Sequence, residues 1–224
     1  LAELGFDCNL APVVDVDVNP GSPAVGAAER SYSRDPAIVV QFAEAFVDAH
    51  REHRIVTALK HFPGHGSAHV DSHENLPDIT YSWTREELRP YRRMIDRSYD
   101  GMIMTGHVVN RLLDERGAPA SLSHGMTGKL LREEMGWEGV VVTDDLQMAP
   151  VADRLPPEAA AIAAIRAGAD MVIFANDTKP ELGLPARVIA LALAEANRDP
   201  AFRERVDEAY RRIVDMKRRI GRSQ

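Results

Sequence analysis

Ile55-Val56-Thr57-Ala58-Leu59-Lys60-His61-Phe62-Pro63-Gly64-His65-Gly66 is the stretch on which the reading of this chain turns. It opens as a short apolar run and closes in titratable side chains, with Asp71-Ser72-His73 a few residues on. Nearly continuous hydrophobicity marks a strand buried on both faces, as in parallel sheets. From Lys60 to His73 the chain then carries four His, one Lys and one Asp. That density of polar groups at the exit of a strand is poor for packing and good for chemistry.

Working outward, similar runs occur at 8–16, 101–107, 139–144 and 171–175, so that 55–62 is one of five strand candidates. Helical patterns lie between them. Asp35-Pro36 offers a cap and a first-turn proline, with Ile38, Val39, Phe42 and Phe46 on one face. Thr84-Arg85-Glu86-Glu87 reads as a capping box before Tyr91, Met94 and Ile95, and Pro90 should kink that helix or mark a second start. Further helices are expected over 126–135, ended by Gly136, and over 157–167, ended by Gly168. A closing amphipathic helix should carry Val206, Tyr210, Ile213, Val214 and Ile220. Strands alternating with helices mean βαβ units and a parallel sheet.

An open doubly wound sheet or a (β/α)8 barrel would both fit. No Gly-x-Gly-x-x-Gly turn follows the first strand and there is no P-loop, which weighs against the nucleotide-binding versions. Polar residues gather just after the strands: Asp15 and Asp17, His61 and His65, His107, Asp144 and Asp145, Asn176 and Asp177. That is the pattern of a barrel's carboxyl-terminal face. Only five or six strands are visible and the chain opens at Leu1 without a Met. The expectation is one α/β domain over 1–224, a (β/α)8 TIM barrel lacking its first strands.

At 224 residues the chain can bury a sizeable core. A net charge of −7 argues against non-specific nucleic-acid binding. No run of about eighteen apolar residues exists to span a membrane. The lone Cys8 excludes an internal disulfide framework and fits a reducing compartment, so a cytoplasmic location is expected.

Asp144 follows four apolar residues and a Thr, so its side chain should emerge at the rim either as a carboxylate nucleophile or as a helix N-cap; two successive acids can divide those tasks. Asp71 and His73 are spaced so that a carboxylate can fix an imidazole tautomer and raise its basicity. A solvated loop histidine is the plainer alternative, and a metal site using His61, His65, His69, His73 and Asp71 is a third. Lys60, inside an apolar run, needs a partner. A sugar hydroxyl would serve, and so would an ion pair with Asp15 or Asp17. Arg30 and Arg34 flank Ser31-Tyr32-Ser33 in a loop, where solvent exposure is the simplest fate, more so for Arg34.

Lys60-His61-Phe62-Pro63-Gly64-His65-Gly66, with Asp71-Ser72-His73 and Leu76-Pro77, resembles the signature of family 3 glycoside hydrolases, more narrowly the β-N-acetylglucosaminidase branch that trims peptidoglycan fragments. The likeness runs nearly end to end. It takes in 9–16, Glu29-Arg30-Ser31-Tyr32-Ser33-Arg34-Asp35-Pro36, Met104-Thr105-Gly106-His107-Val108, Pro119-Ala120-Ser121-Leu122-Ser123, Thr143-Asp144-Asp145-Leu146-Gln147-Met148 and Ala167-Gly168-Ala169-Asp170-Met171.

The resemblance implies a retaining hydrolase acting on a small saccharide or muropeptide, without cofactor or metal. Asp144 would be the nucleophile and His73 the acid/base, oriented by Asp71. Lys60, His61 and Arg30 would hold the sugar. Ser67-Ala68 stands where the family usually has Asp-Thr. The branch also draws an Asp and an Arg for sugar binding from a region preceding Leu1. A β-glucosidase or β-xylosidase of the same family is the near alternative, and a non-catalytic sugar-binding fragment a more distant one.

Overall fold

The apolar runs become five parallel strands. The computed structural model describes residues 1–72, 75–177 and 180–221. β1 (Cys8–Asn9), β2 (Val56–Phe62), β3 (Met102–Thr105), β4 (Val140–Asp145) and β5 (Met171–Ile173) pair in chain order. Every neighbouring pair is parallel, so helices must carry the chain back each time. The result is a half-barrel with β1 and β5 at its margins. The expectation of a (β/α)8 barrel lacking its first strands is met in part: the described residues form a parallel five-stranded half-barrel.

β1 is shorter than expected because Pro12 has no N–H to give a ladder. The chain nevertheless stays beside β2. Ala58 N donates to Ala11 O, Lys60 N to Pro12 O, and Val14 N to Lys60 O. The β2–β3 register slips between Leu59 and Phe62, and the Lys60–His61 and Phe62–Pro63 peptides are cis. This irregular exit from β2 carries the polar cluster.

The helices show which local signals hold. In α1 (Pro36–Glu52) the Asp35 carboxylate accepts from Ala37 N at 2.8 Å, as the Asp-Pro pair predicts. The buried stripe, however, is Val39, Val40, Ala43 and Val47, not Ile38-Val39-Phe42-Phe46. The smaller side chains face the sheet, while Phe42 is exposed and stacks on Tyr32. The capping box does not form. Thr84 makes no side-chain cap, Glu87 turns inward on a 3-10 turn (Arg85–Leu88), and α2 (Arg89–Asp96) starts afresh with Pro90 in its first turn.

The helix expected over 126–135 is a π-helix, His124–Glu134, whose Met126 N donates to Ser123 Oγ at 3.0 Å. Beyond β4 come the short α3 (Ala149–Ala152) and α4 (Pro157–Ala167), the latter with the expected bounds and Gly168 at φ 122°. α5 (Leu184–Arg198) is a helix the sequence reading did not identify. α6 (Pro200–Arg219) buries Phe202 and Ala209 and leaves the expected core residue Tyr210 exposed.

Two apolar layers hold these pieces. Leu59, Phe62, Ile103 and Val141 pack outward against Tyr91, Met94, Leu130 and Leu131 of the surrounding helices. On the other face Val56, Ala58, Met102, Met104, Val140 and Val142 meet Ile213, Met216 and Ile220 from α6 and the residue after it. α6 is also tied electrostatically. The enclosed Asp170 carboxylate accepts from Arg132 (2.6 Å), from Arg212 (3.2 Å), from Arg205 and from Val141 N (2.8 Å). Asp170 precedes β5, at the end of the sheet away from the polar cluster, and its part is to fasten.

Candidate active site

The polar cluster at the carboxyl ends of β2 and β4 is organised by one buried carboxylate. Asp15, fully enclosed, accepts from His61 N (3.1 and 3.2 Å), His65 N (2.9 Å) and His61 Nδ1 (2.7 Å). Burial alone would raise its pKa; His61 and His65 outweigh that, and it lies below the usual carboxylate range. A carboxylate only accepts, so Nδ1 of His61 carries the hydrogen. Nε2 then faces the open side, 3.5 Å from Arg30 Nη2 and 3.9 Å from Asp144 Oδ2.

Asp144 and Asp145 turn to different partners, and neither is the helix N-cap that was one of the two tasks expected. Asp145 Oδ1 accepts from Gln147 N and Ala175 N, each at 3.0 Å, binding the turn after β4 to the end of β5. It does not cap α3, whose N-cap is Met148. The Asp144 side chain is 25% exposed and faces the imidazole of His61. Burial pushes its pKa up, but His61, His107, the Asp145 amide and Lys60 together bring it below the ordinary value. It is an ionised carboxylate on the open side of a cationic and imidazole cluster. That is the state a nucleophile needs.

Lys60 is half-buried, and neither Asp15 nor Asp17 takes it as an ion pair, Asp15 being committed to His61. Burial holds its pKa below the ordinary value, against the pull of Asp144. Arg30 donates through Nη1 to Ala24 O at 2.9 Å, which aims its other arm at His61. Lys60, His61, Arg30 and Asp144 thus lie within electrostatic reach of one another. Asp71 is half-buried on the loop beyond, its carbonyl accepting from Asn75 N. His73 lies outside the described residues.

Asp15 and His107 stood among the strand-end polar residues in the sequence, but neither was given a role at the site beyond Asp15 as a possible counter-ion for Lys60. His107, at the end of β3, is buried with Nδ1 2.8 Å from Ser121 Oγ and Nε2 2.8 Å from Asp145 O. Burial lowers its pKa, so a neutral ring props the main chain next to Asp144. The Thr-Gly-His sequence at a strand end was the available signal. As for the metal-site alternative, His69 meets Asn19 at 3.3 Å and the His65 ring is buried edge-on to His61. Among the described residues no three His, Cys, Asp or Glu converge as a ligand set.

Comparison with known proteins places the whole chain beside one family. Residues 1–216 match the family model "Glycosyl hydrolase family 3 N terminal domain". Beta-hexosaminidase A of Pseudoalteromonas piscicida is 38% identical over 78% of this chain and 31% of its own length. A beta-hexosaminidase of Alkalilimnicola ehrlichii is 35% identical over 99% of this chain and 61% of its own. A solved glycoside hydrolase family 3 beta-N-acetylglucosaminidase from Paenibacillus sp. FPU-7 superposes with a TM-score of 0.86 at 32% identity, covering 97% of this chain and 41% of that one. The chain spans about a third to three-fifths of the length of the relatives it matches.

Proposed function

Because this chain belongs to glycosyl hydrolase family 3, we propose that it carries the catalytic centre of a retaining exo-β-N-acetylglucosaminidase that releases terminal β-linked N-acetylglucosamine, as from peptidoglycan fragments. The observation that carries the reading is Asp144, an ionised carboxylate at a strand end facing Lys60 and His61. Similarity to proteins named beta-hexosaminidase supports the acetamido sugar.

In the first step Asp144 attacks the anomeric carbon while His73 gives its proton to the glycosidic oxygen, and the aglycone leaves as an alcohol. In the second, water attacks the same carbon as His73 takes its proton, and Asp144 leaves as a carboxylate. Asp71 orients His73 by accepting from its second ring nitrogen. An imidazole suits this dual role near neutrality because its ordinary pKa, about 6.5, lies close to the working pH. Lys60, Arg30 and His61 hold the sugar's hydroxyl and acetamido groups. His61, backed by Asp15, also keeps a hydrogen-bonding nitrogen near the nucleophile.

The test is release of nitrophenol from the β-N-acetylglucosaminide and the β-glucoside, with mass spectrometry of the protein under a slow-deglycosylating substrate. Preference for the acetamido sugar and one sugar mass on the peptide bearing Asp144 are expected. Asp144→Ala should lower kcat by about 10³-fold or more. Near-normal turnover in that variant, or labelling elsewhere, sinks the assignment.

A further inference from the structure

The two carboxylate oxygens of Asp144 are not equivalent. Oδ1 accepts from the N–H of Asp145 at 2.9 Å, while Oδ2 lies 3.9 Å from His61 Nε2, beyond hydrogen-bonding distance. That division depends on where Asp145 directs its N–H, and the neighbours of Asp145 leave it little freedom. Its carboxylate accepts from Gln147 N and Ala175 N, each at 3.0 Å, and its carbonyl accepts from His107 Nε2 at 2.8 Å. The N–H of the same peptide, on Leu146, donates to Ile173 O at 2.9 Å. The peptide after Asp145 is thus pinned from the β3 side by His107 and from β5 by Ile173. Holding the carbonyl and side chain of one residue also holds its nitrogen, since all three hang on one Cα.

A carbonyl only accepts, so His107 carries a hydrogen on Nε2 whatever its charge. Its Nδ1 lies 2.8 Å from Ser121 Oγ, and Ser121 is tied by its own N–H to Gly106 O at 3.1 Å. Both side chains are fully enclosed, so neither touches the sugar. With an oxygen partner on each ring nitrogen, turning the imidazole over would set carbon atoms against both. The proposed chemistry gives Ser121 no part.

We propose that Ser121 and His107 are positioning residues for the nucleophile: through the carbonyl of Asp145 they keep its N–H on Asp144 Oδ1 and leave Oδ2 as the oxygen that attacks. The proposal rests on the glycosidase reading for its catalytic consequence only. In the first step Oδ2 forms its bond to the anomeric carbon as the bond to the aglycone oxygen breaks. Oδ1 becomes the carbonyl oxygen of the glycosyl ester and still accepts from Asp145 N. In the second step the bond from Oδ2 to the sugar breaks as water attacks, and its electron pair returns to Oδ2. A reacting group misplaced by about 1 Å loses about 10²-fold in rate, which is the scale of what the relay protects.

Amide exchange at Asp145, read by heteronuclear NMR on the full chain, tests the mechanical link without substrate. In His107→Leu that amide should exchange about tenfold faster or more than in the parent. In His107→Gln, whose side-chain N–H can still donate to the carbonyl, it should return to within about threefold of the parent. Equal exchange in all three proteins, or a Gln variant no slower than the Leu one, overturns the proposal. Ser121→Ala keeps the imidazole and carries the test should His107→Leu not fold; parental exchange there overturns the part given to Ser121. Kinetics on the nitrophenyl N-acetylglucosaminide supply the catalytic arm. His107→Leu should lower kcat about 10²-fold and Ser121→Ala about tenfold, with KM within about threefold in both. His107→Gln should recover most of the loss. A change confined to KM, or a fall in kcat that Gln does not relieve, assigns the pair a merely structural part and overturns the proposal. A chain that splits no glycoside yet shows the exchange pattern overturns the reaction reading and leaves the relay standing.

Discussion

At the scale of single residues, the site is a set of fixed acceptors and donors built around Asp15. Removing that carboxylate leaves two main-chain amides and an imidazole N–H buried without an acceptor. Asp15→Ala is therefore expected to cost about 3 kcal/mol of stability, read as a lowered urea midpoint with an unchanged slope. The pH dependence carries a definite sign. The folded pKa of Asp15 lies below its unfolded value, so its contribution is fully present above the unfolded value, about 3.9. It is lost as pH falls through the folded value. The parent should lose stability on acidification, and the variant should lose less over the same window; parallel losses would remove Asp15 from the account. That Asp144 and Asp145 take different partners was legible in the chain, whereas the helix cap expected of one of them does not form. The pairing of Asp15 with His61 was not. It joins residues 46 apart, and nothing in local periodicity reports such a distance. Glu87 was misread for a related reason: local pattern made it half of a capping box, and tertiary packing turned it inward.

At the scale of elements, end signals predicted better than faces did. Asp35-Pro36 and Gly168 delimit α1 and α4 as expected, because a cap and a positive φ are local requirements. Which stripe of α1 faces the sheet depends instead on how closely the two approach, and small Val and Ala won over Phe42. α5 was not identified, although Leu184, Val188 and Leu191 recur at i, i+4 and i+7; of its side chains only Leu184 is buried. Asp170 shows what fastens elements once they exist. Its side chain is enclosed and holds three arginines, whereas the Arg51–Asp100 pair is 48% and 44% exposed. Exposed pairs contribute under about 1 kcal/mol, while breaking an enclosed one costs about 3–5 kcal/mol. Asp170→Ala should fall in the second range and Asp100→Ala in the first. Equal urea midpoints for the two variants would refute this ranking.

At the scale of the whole molecule, the parallel α/β class was legible from five continuous apolar runs. Leu4 and Phe6 ahead of β1 are 79% and 53% exposed, Phe42 on α1 is 53% exposed, and Ile189 and Leu193 on α5 are 59% and 61% exposed. Contiguous exposed apolar surface drives association. Sedimentation of this chain should show a mass that rises with concentration, and Phe42→Glu with Leu193→Glu should suppress the rise; a monomer at every concentration would contradict it. The Asp170 lock carries a consequence for how the molecule comes into being. Arg205 and Arg212 follow Asp170 by 35 and 42 residues, and both belong to α6. On a ribosome adding about 5–20 residues per second, β5 emerges a few seconds before its two distal arginines do. Through that interval a carboxylate destined for enclosure has Arg132 as its sole available cation from the set. The sheet then matures from its far end, and α6 is the latch that sets it.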